Sequence, residues 1–191
     1  GKVYLVRKII QHATENEDAI EGGLYAMKVL KKSELRKRKQ VEHTKSERRI
    51  LERIRHPFVV GLHCAFQTED KLYFVLDYWP GGELFFYIQH FEFFPEKIAK
   101  FYASNILLGL EILHKNNIIY RDLKPENVLI GKDGYAKITD FGLSKDNIQG
   151  NQQASSFCGT PEYLAPETLL RTGTGKASDW WSFGAIIYEM L

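Results

Sequence analysis

The sequence predicts an α+β protein in two parts, strand-rich up to about residue 78 and helix-rich after it. Three observations carry this reading. Short β-branched and alternating runs recur at Val3 to Val6, Leu24 to Leu30, Leu62 to Phe66 and Leu72 to Leu76. The turn-forming stretch Trp79-Pro80-Gly81-Gly82 then interrupts the chain. Beyond it the apolar spacing becomes helical, most clearly from Pro95 to Lys115. At 191 residues the chain can fill one core or two small lobes sharing a seam.

In order, the first two strands flank a polar stretch, Gln11 to Gly22, which carries Glu15, Glu17, Asp18 and Glu21. It exceeds the roughly 2–5 residues of an ordinary strand connection and reads as a solvated surface insertion. A basic run follows, Lys31, Lys32, Arg36, Lys37, Arg38 and Lys39. Nuclear import or nucleic-acid contact is one reading of such a run, and a solvated helix face is the preferred one. It leads into a helix with Val41, Ile50, Leu51 and Ile54 on one side. The helix from Pro95 to Lys115 has proline in its first turn, and its spacing turns Ile98, Phe101, Leu108 and Ile112 inward.

Composition removes several classes of function. A net charge of +2 argues neither for a nucleic-acid binder nor for an acid-rich tail, and no nucleic-acid partner is expected. Cys64 and Cys158 are too few for a disulfide framework and lack metal-ligand spacing, which fits a reducing, intracellular compartment, cytoplasmic with the nucleus left open. Apolar stretches such as Phe101 to Leu110 fall well short of the roughly 18 residues a membrane-spanning helix needs. The chain opens on Gly1 rather than methionine, so the natural N-terminus is expected to lie upstream.

The chemistry lies in three ordered segments. Tyr120-Arg121-Asp122-Leu123-Lys124-Pro125-Glu126-Asn127 is followed, thirteen residues after Asn127, by Asp140-Phe141-Gly142, and later by Ala165-Pro166-Glu167. With the upstream Ala26-Met27-Lys28, this set resembles the protein-kinase signature: catalytic loop, magnesium loop and the end of the activation segment. Each triplet alone is weak, and the ordered set is strong. Gly1-Lys2-Val3 resembles the end of a glycine-rich loop whose first two glycines lie before residue 1, though the 27 residues separating Gly1 from Lys28 are more than usual.

The resemblance implies a two-lobed fold, a small antiparallel N-lobe over residues 1–78 without its first strand, and a mainly helical C-lobe over 79–191 that ends inside a helix. It also implies ATP and magnesium as cofactors. Phosphoryl transfer calls for positioning and charge neutralisation more than covalent chemistry, which explains the residue types. Asp140 and Asn127 offer hard oxygen ligands to magnesium. Lys28 would hold the α and β phosphates, steadied by an acid from the following helix; Glu47 is chosen because it lies one turn before Leu51, and Glu42 is the rival. Asp122 would orient the substrate hydroxyl and accept its proton, while Lys124 would neutralise the transferring phosphate. Gly1 would close over the nucleotide. Val3, Ala26 and Leu129 would sandwich the adenine, Leu76 would guard its pocket, and Asp77 to Trp79 would form the hinge, with Glu83 just beyond. Leu51, Leu62, Tyr120 and Phe141 would stack as a spine anchored by Asp179.

Phe157-Cys158-Gly159-Thr160-Pro161-Glu162-Tyr163-Leu164-Ala165-Pro166-Glu167, and Tyr120 in place of the commoner histidine, resemble the AGC group, which includes the cyclic-AMP-dependent kinase, protein kinase C and Akt. Val6-Arg7-Lys8, Ala26 to Lys32 and Ala65-Phe66-Gln67-Thr68 are most similar to the ribosomal-protein kinases and their stress-activated relatives. Ser156 matches the activating phosphosite of an upstream kinase, with His43, Arg121 and Lys145 as its receiving cations and Ser155 as the competing acceptor. Glu83, Glu126 and Glu189 match acids that receive arginines upstream of the target residue, and Thr160 matches the substrate ledge of serine/threonine kinases. The partners implied are therefore arginine-containing protein substrates. A catalytically inactive kinase-like scaffold is the alternative, although Lys28, Asp122 and Asp140 are all present; lipid kinases and tyrosine kinases fit the loop residues less well. Because the C-lobe stops early, Glu167 is expected to lack its arginine partner, and Trp181, Ile186 and Ile187 to expose apolar surface. These residues alone are expected to be poorly stable or inactive.

Overall fold

In a computed structural model, residues 1–10, 20–150, 152–154 and 156–191 are described. They form two compact units. One comprises Gly1–Val41 with Gly61–Tyr78, the other Glu42–Val60 with Trp79–Leu191. Residues 42–60 thus group with the helical segments, although they precede residue 78 in the chain.

The first unit is built on β1 (Lys2–Ile10), β2 (Ile20–Lys31), β3 (Leu62–Gln67) and β4 (Lys71–Asp77), an antiparallel sheet in the order β1-β2-β4-β3. Both opening strands run longer than their β-branched runs suggested. Residues 20–22, assigned above to the end of the polar insertion, begin β2, and residues 11–19 lie outside the described residues. The basic run forms α1 (Lys32–Lys37), which buries only Leu35 and leaves Arg36 to Lys39 exposed, as a solvated helix face does. Leu35 joins Leu30 and Phe74 in a core flanked by Leu62, Ala65, Leu72 and Leu76. Burying such side chains contributes roughly 1.5–3 kcal/mol each.

The second unit takes in all of α2 (Val41–Arg53) but its first residue, and the helix buries Thr44, Ser46, Glu47, Ile50 and Leu51. Val41, read above as inward, is 37% exposed, and Ile54 is buried just past the helix end. Further on come β5 (Gly82–Glu83), α3 (Leu84–Phe91), α4 (Glu96–Lys115), β6 (Val128–Ile130), β7 (Ala136–Ile138), α5 (Pro166–Leu169) and α6 (Lys176–Met190), with β5-β6-β7 as a small antiparallel sheet.

The buried face of α4 differs from the expected one. Ala99, Asn105, Ile106, Gly109, Leu110, Leu113 and His114 are buried, whereas Ile98, Phe101 and Leu108 are exposed. The helix is apolar on two flanks, so spacing alone offers two faces. Two tertiary contacts choose between them. Asn105 Oδ1 accepts a hydrogen bond from Ala136 N at 2.9 Å. At Gly109 a Cβ would stand 2.8 Å from Ile138 Cδ1, so only glycine lets the helix lie this close to β7. In α6, Trp181 is 53% exposed as expected, but Ile186 is fully buried, and Tyr188 carries the exposed surface instead. No described helix is long and apolar enough to cross a membrane.

Candidate active site

In the strand-rich unit, register decides which side chains share a face. Ala26 pairs with Leu76, Lys28 with Phe74, and Val3 with Lys28. Cross-strand partners lie on one side of a sheet and successive residues alternate, so Val3, Ala26, Lys28 and Leu76 are all on the same face. Gly1 approaches β2 so closely that a Cβ would lie 2.7 Å from Leu30 Cδ2. Asp77 is bound within its own unit: its N donates to Gly61 O at 3.0 Å, and its Oδ2 accepts from Gly61 N at 3.1 Å.

Trp79 opens the second unit's main segment. Its indole lies under Lys137 Nζ, 4.3 Å from the ring centroid, and covers Gly131. The side chain is thus spent on the β6–β7 hairpin. Leu129 lies between Glu83 on β5 and Lys137 on β7.

The loop from Tyr120 to Asn127 is held from below by one carboxylate. Asp179, 1% exposed, accepts hydrogen bonds from Tyr120 N at 2.9 Å and Arg121 N at 2.8 Å, and its Oδ2 is 2.7 Å from His114 Nε2. These bonds hold Arg121 at φ 72°, a conformation costly for a residue with a side chain. Tyr120 is fully buried; its ring meets Phe141 edge-on at 5.5 Å, and its hydroxyl donates to Thr139 O. Burial, then the charges of Asp140 and Asp122, push the Tyr120 phenol far above its ordinary range. It therefore stays a neutral donor.

Above this floor four side chains converge. Asn127 Nδ2 donates to Asp122 O at 2.8 Å and to Asp122 Oδ2 at 3.1 Å. Thr160 Oγ1 donates to Asp122 Oδ1 at 2.8 Å and accepts from Lys124 Nζ at 2.8 Å. Lys124 Nζ also stands 3.5 Å from Asp122 Oδ2. Asp122, Lys124, Asn127 and Thr160 thus form one constellation, although Thr160 comes 38 residues after Asp122. Asp140 is exposed at φ 55° beside Thr139, whose N donates to Asn127 O at 2.9 Å. The Asn127 amide nitrogen is committed to Asp122, so its carbonyl oxygen is the atom it can offer a cation alongside the Asp140 carboxylate. Two hard oxygen donors, one just before β6 and one just after β7, suit a magnesium ion that takes its other ligands from phosphate and water.

Of the cations expected around Ser156, Arg121 is in place: Nη1 donates to Ser156 Oγ at 2.6 Å, and Nε to Leu143 O at 2.7 Å. Burial works against the Arg121 charge and lowers its pKa. Neither His43 nor Lys145 bonds Ser156 among the described residues; Lys145 is held by its main chain against Ile119. Ser155 lies outside the described residues.

The substrate acids separate into two kinds. Burial, and then the neighbouring charge of Glu126, raise the Glu83 carboxyl above its usual value, opposed by Lys124. Glu126 Oε2 is buried without a hydrogen-bond partner among the described residues. Glu189, by contrast, accepts from the Tyr163 hydroxyl at 2.6 Å. Burial and this carboxylate drive the Tyr163 phenol far upward. Glu167, expected to be without its partner, accepts from Ser178 Oγ at 2.7 Å, because α6 starts directly beneath it.

Three supports escaped the sequence reading: His114 beside Asp179, Tyr163 on Glu189 and Ser178 on Glu167. Each is an ordinary helix or loop residue in the sequence, and only folding brings it to a carboxylate.

Comparison with known proteins agrees with this geometry. Residues 9–191 match the family model described as "Protein kinase domain". The whole chain is 52% identical to the ribosomal protein S6 kinase beta of Caenorhabditis elegans, covering 34% of that protein. It is 52% identical to the RAC family serine/threonine-protein kinase homolog of Dictyostelium discoideum, covering 41%. It is 51% identical to the serine/threonine-protein kinase Sgk1 of Gallus gallus, covering 42%. The chain thus spans well under half the length of the curated relatives it matches. With its loop order, its Asp122 constellation and this match over nearly its whole length, the chain belongs to the protein kinase domain family, and it is similar to AGC-group members.

Proposed function

We propose that this chain is the catalytic part of a serine/threonine protein kinase that phosphorylates substrates carrying an upstream arginine, and that phosphorylation of Ser156 activates it. The observation that carries the reading is the junction of Asp122, Lys124, Asn127 and Thr160. Bound magnesium and ATP supply the transferable phosphoryl group and neutralise its charge. The protein's part is to position. Asp122 is oriented by Asn127 and Thr160, so its carboxylate can take the proton of a serine or threonine hydroxyl placed beside it. Lys124 carries positive charge next to the same carboxylate, where it can offset negative charge developing during transfer. Asn127 and Asp140 would hold magnesium, and Lys28, steadied by Glu47, the phosphates.

Substrate preference rests on Glu83 and Glu126. An orphaned buried carboxylate oxygen costs about 1–3 kcal/mol, and an arginine would relieve it with charge-assisted hydrogen bonds. Regulation rests on Arg121, which is already bonded to the Ser156 hydroxyl and would receive a phosphate of roughly −1.5 to −2 charge there. Another protein kinase would supply that phosphate. The exposed Cys64 and half-buried Cys158, both free thiols, suit a reducing intracellular setting.

The test is phosphate transfer from magnesium-ATP to serine peptides with and without arginine three residues upstream. We expect transfer to favour the arginine peptide and to fall on the order of 10²-fold or more in Asp122→Asn. Ser156→Ala should lose at least about tenfold, the worth of one charge-assisted hydrogen bond. An inactive wild-type protein, even with Ser156 phosphorylated, would point to a kinase-like scaffold instead.

A further inference from the structure

Asp146, six residues beyond Asp140, has no part in the reading above, yet it joins two elements that reading depends on. Its Oδ1 accepts from Ser46 Oγ at 3.0 Å and from Arg49 Nη2 at 3.3 Å, and its Oδ2 accepts from Arg49 Nε at 2.9 Å. Both partners are on α2, and between them in sequence is the buried Glu47. The carboxylate is well shielded, with its side chain 12% exposed against 53% for Arg49. The Arg49 hydrogen bond, followed by the Ser46 hydroxyl, holds its carboxyl below the ordinary aspartate range against the opposing effect of burial.

The other side of the same stretch is fastened to the catalytic loop. Arg121 Nε donates to Leu143 O at 2.7 Å, and Ser144 Oγ donates to Tyr120 O at 3.1 Å. Ile119 and Lys145 exchange two main-chain hydrogen bonds of 3.0 and 2.9 Å. Residues 143–145 are thus sewn to residues 119–121, and the next residue grips α2. Arg53, at the far end of α2, donates to Asn116 O just before that loop, giving the helix a second hold.

We propose that Asp146 is a positioning residue that locks α2, and with it Glu47, to the catalytic loop through the stretch following Asp140-Phe141-Gly142. The proposal rests on the kinase reading for its consequence, since Glu47 matters there as the partner of Lys28. A two-pronged arginine–carboxylate bond fixes orientation as well as distance, and the Ser46 bond one turn earlier prevents the helix from rolling about it. The clamp therefore acts on the placement of Glu47 and not on the reacting atoms.

The experiment is a double-mutant cycle in the complete protein with Arg49→Ala, Asp146→Ala and the double variant, and Asp146→Glu as the conservative change. Two readouts are taken: kcat and KM for ATP with the arginine peptide, and amide hydrogen exchange along α2. Each single variant should lose about three- to tenfold in kcat/KM, as expected for one bidentate ion pair. The double variant should be no worse than the poorer single, Asp146→Glu should recover most of the loss, and α2 amides should exchange faster in all three alanine variants with little change in melting temperature. Losses that multiply in the double variant, or α2 exchange unchanged from wild type, would overturn the proposal. A wild-type protein without transferase activity would instead sink the kinase reading, and the exchange data would still decide whether the clamp exists.

Discussion

At the scale of single residues, the two carboxylates Asp122 and Glu83 show how environment assigns a role. Asp122 has a donor on each oxygen and a lysine alongside, which fix its orientation as an acceptor. For Glu83 the environment acts on the charge itself: burial and the Glu126 charge raise its pKa above the ordinary 4.5. An arginine binds the ionised form. Lowering the pH through that raised pKa should therefore raise KM for the arginine peptide at a higher pH than an ordinary glutamate would. Glu83→Gln should flatten this limb and raise KM about tenfold at neutral pH. Stability has the opposite sign. The native state holds the proton more tightly than the unfolded chain, so ionised Glu83 weakens the fold once pH rises past its pKa. Glu83→Gln should consequently melt slightly higher than wild type at neutral pH, with the difference vanishing near pH 4.

At the scale of elements, the β6–β7 hairpin and the segment leading into β5 form a fitted pair. Trp79 lies across Gly131, and Lys137 Nζ sits over the indole ring. A Cβ on Gly131 would stand 2.5 Å from Trp79 Cε3, so the indole would have to shift, whereas the exposed Asp133 carboxylate beside it can turn aside. Gly131→Ala should therefore cost about 1–3 kcal/mol in denaturant unfolding, the usual price of overpacking. Weakened ATP binding should accompany it if the Trp79 main chain serves as hinge, a shift that nucleotide titration would reveal. Element existence was legible from the sequence, since β-branched runs and helical spacing announce themselves locally. The buried face of α4 was not: Ile98, Phe101 and Leu108 satisfy helical spacing as well as the residues that are buried. Asn105 and Gly109 break the tie through β7, and a strand about 30 residues away is invisible to any local pattern.

At the scale of the whole molecule, Asp179 on α6 is the point where distant parts of the helical unit meet. It receives two main-chain donors from the catalytic loop and the His114 ring from α4. Replacing it by asparagine would set an amide N–H₂ against groups that already donate, inside a buried site. Asp179→Asn should destabilise by about 3–5 kcal/mol, comparable to breaking a buried ion pair, and chemical denaturation would measure it. Activity should fall with it, because the φ of Arg121 is held by that carboxylate.

By itself the sequence determined the family. Asp122, Lys124, Asn127 and Asp140 sit at spacings set by one short loop and one hairpin, so their proximity is a local property of the chain. It also announced Ser156 and its neighbour Arg121, because both lie in recognisable segments. Only the tertiary structure decided the rest: that Thr160 bridges Lys124 and Asp122, that Tyr163 occupies Glu189 while Glu126 Oε2 finds no hydrogen-bond partner among the described residues, that residues 42–60 pack with the helical unit, and that Asp146 grips α2. These pairings join residues some 26 to 100 positions apart. They depend on which faces the core selects, and burial energies summed over a whole unit make that selection, leaving no trace in the spacing of any single segment.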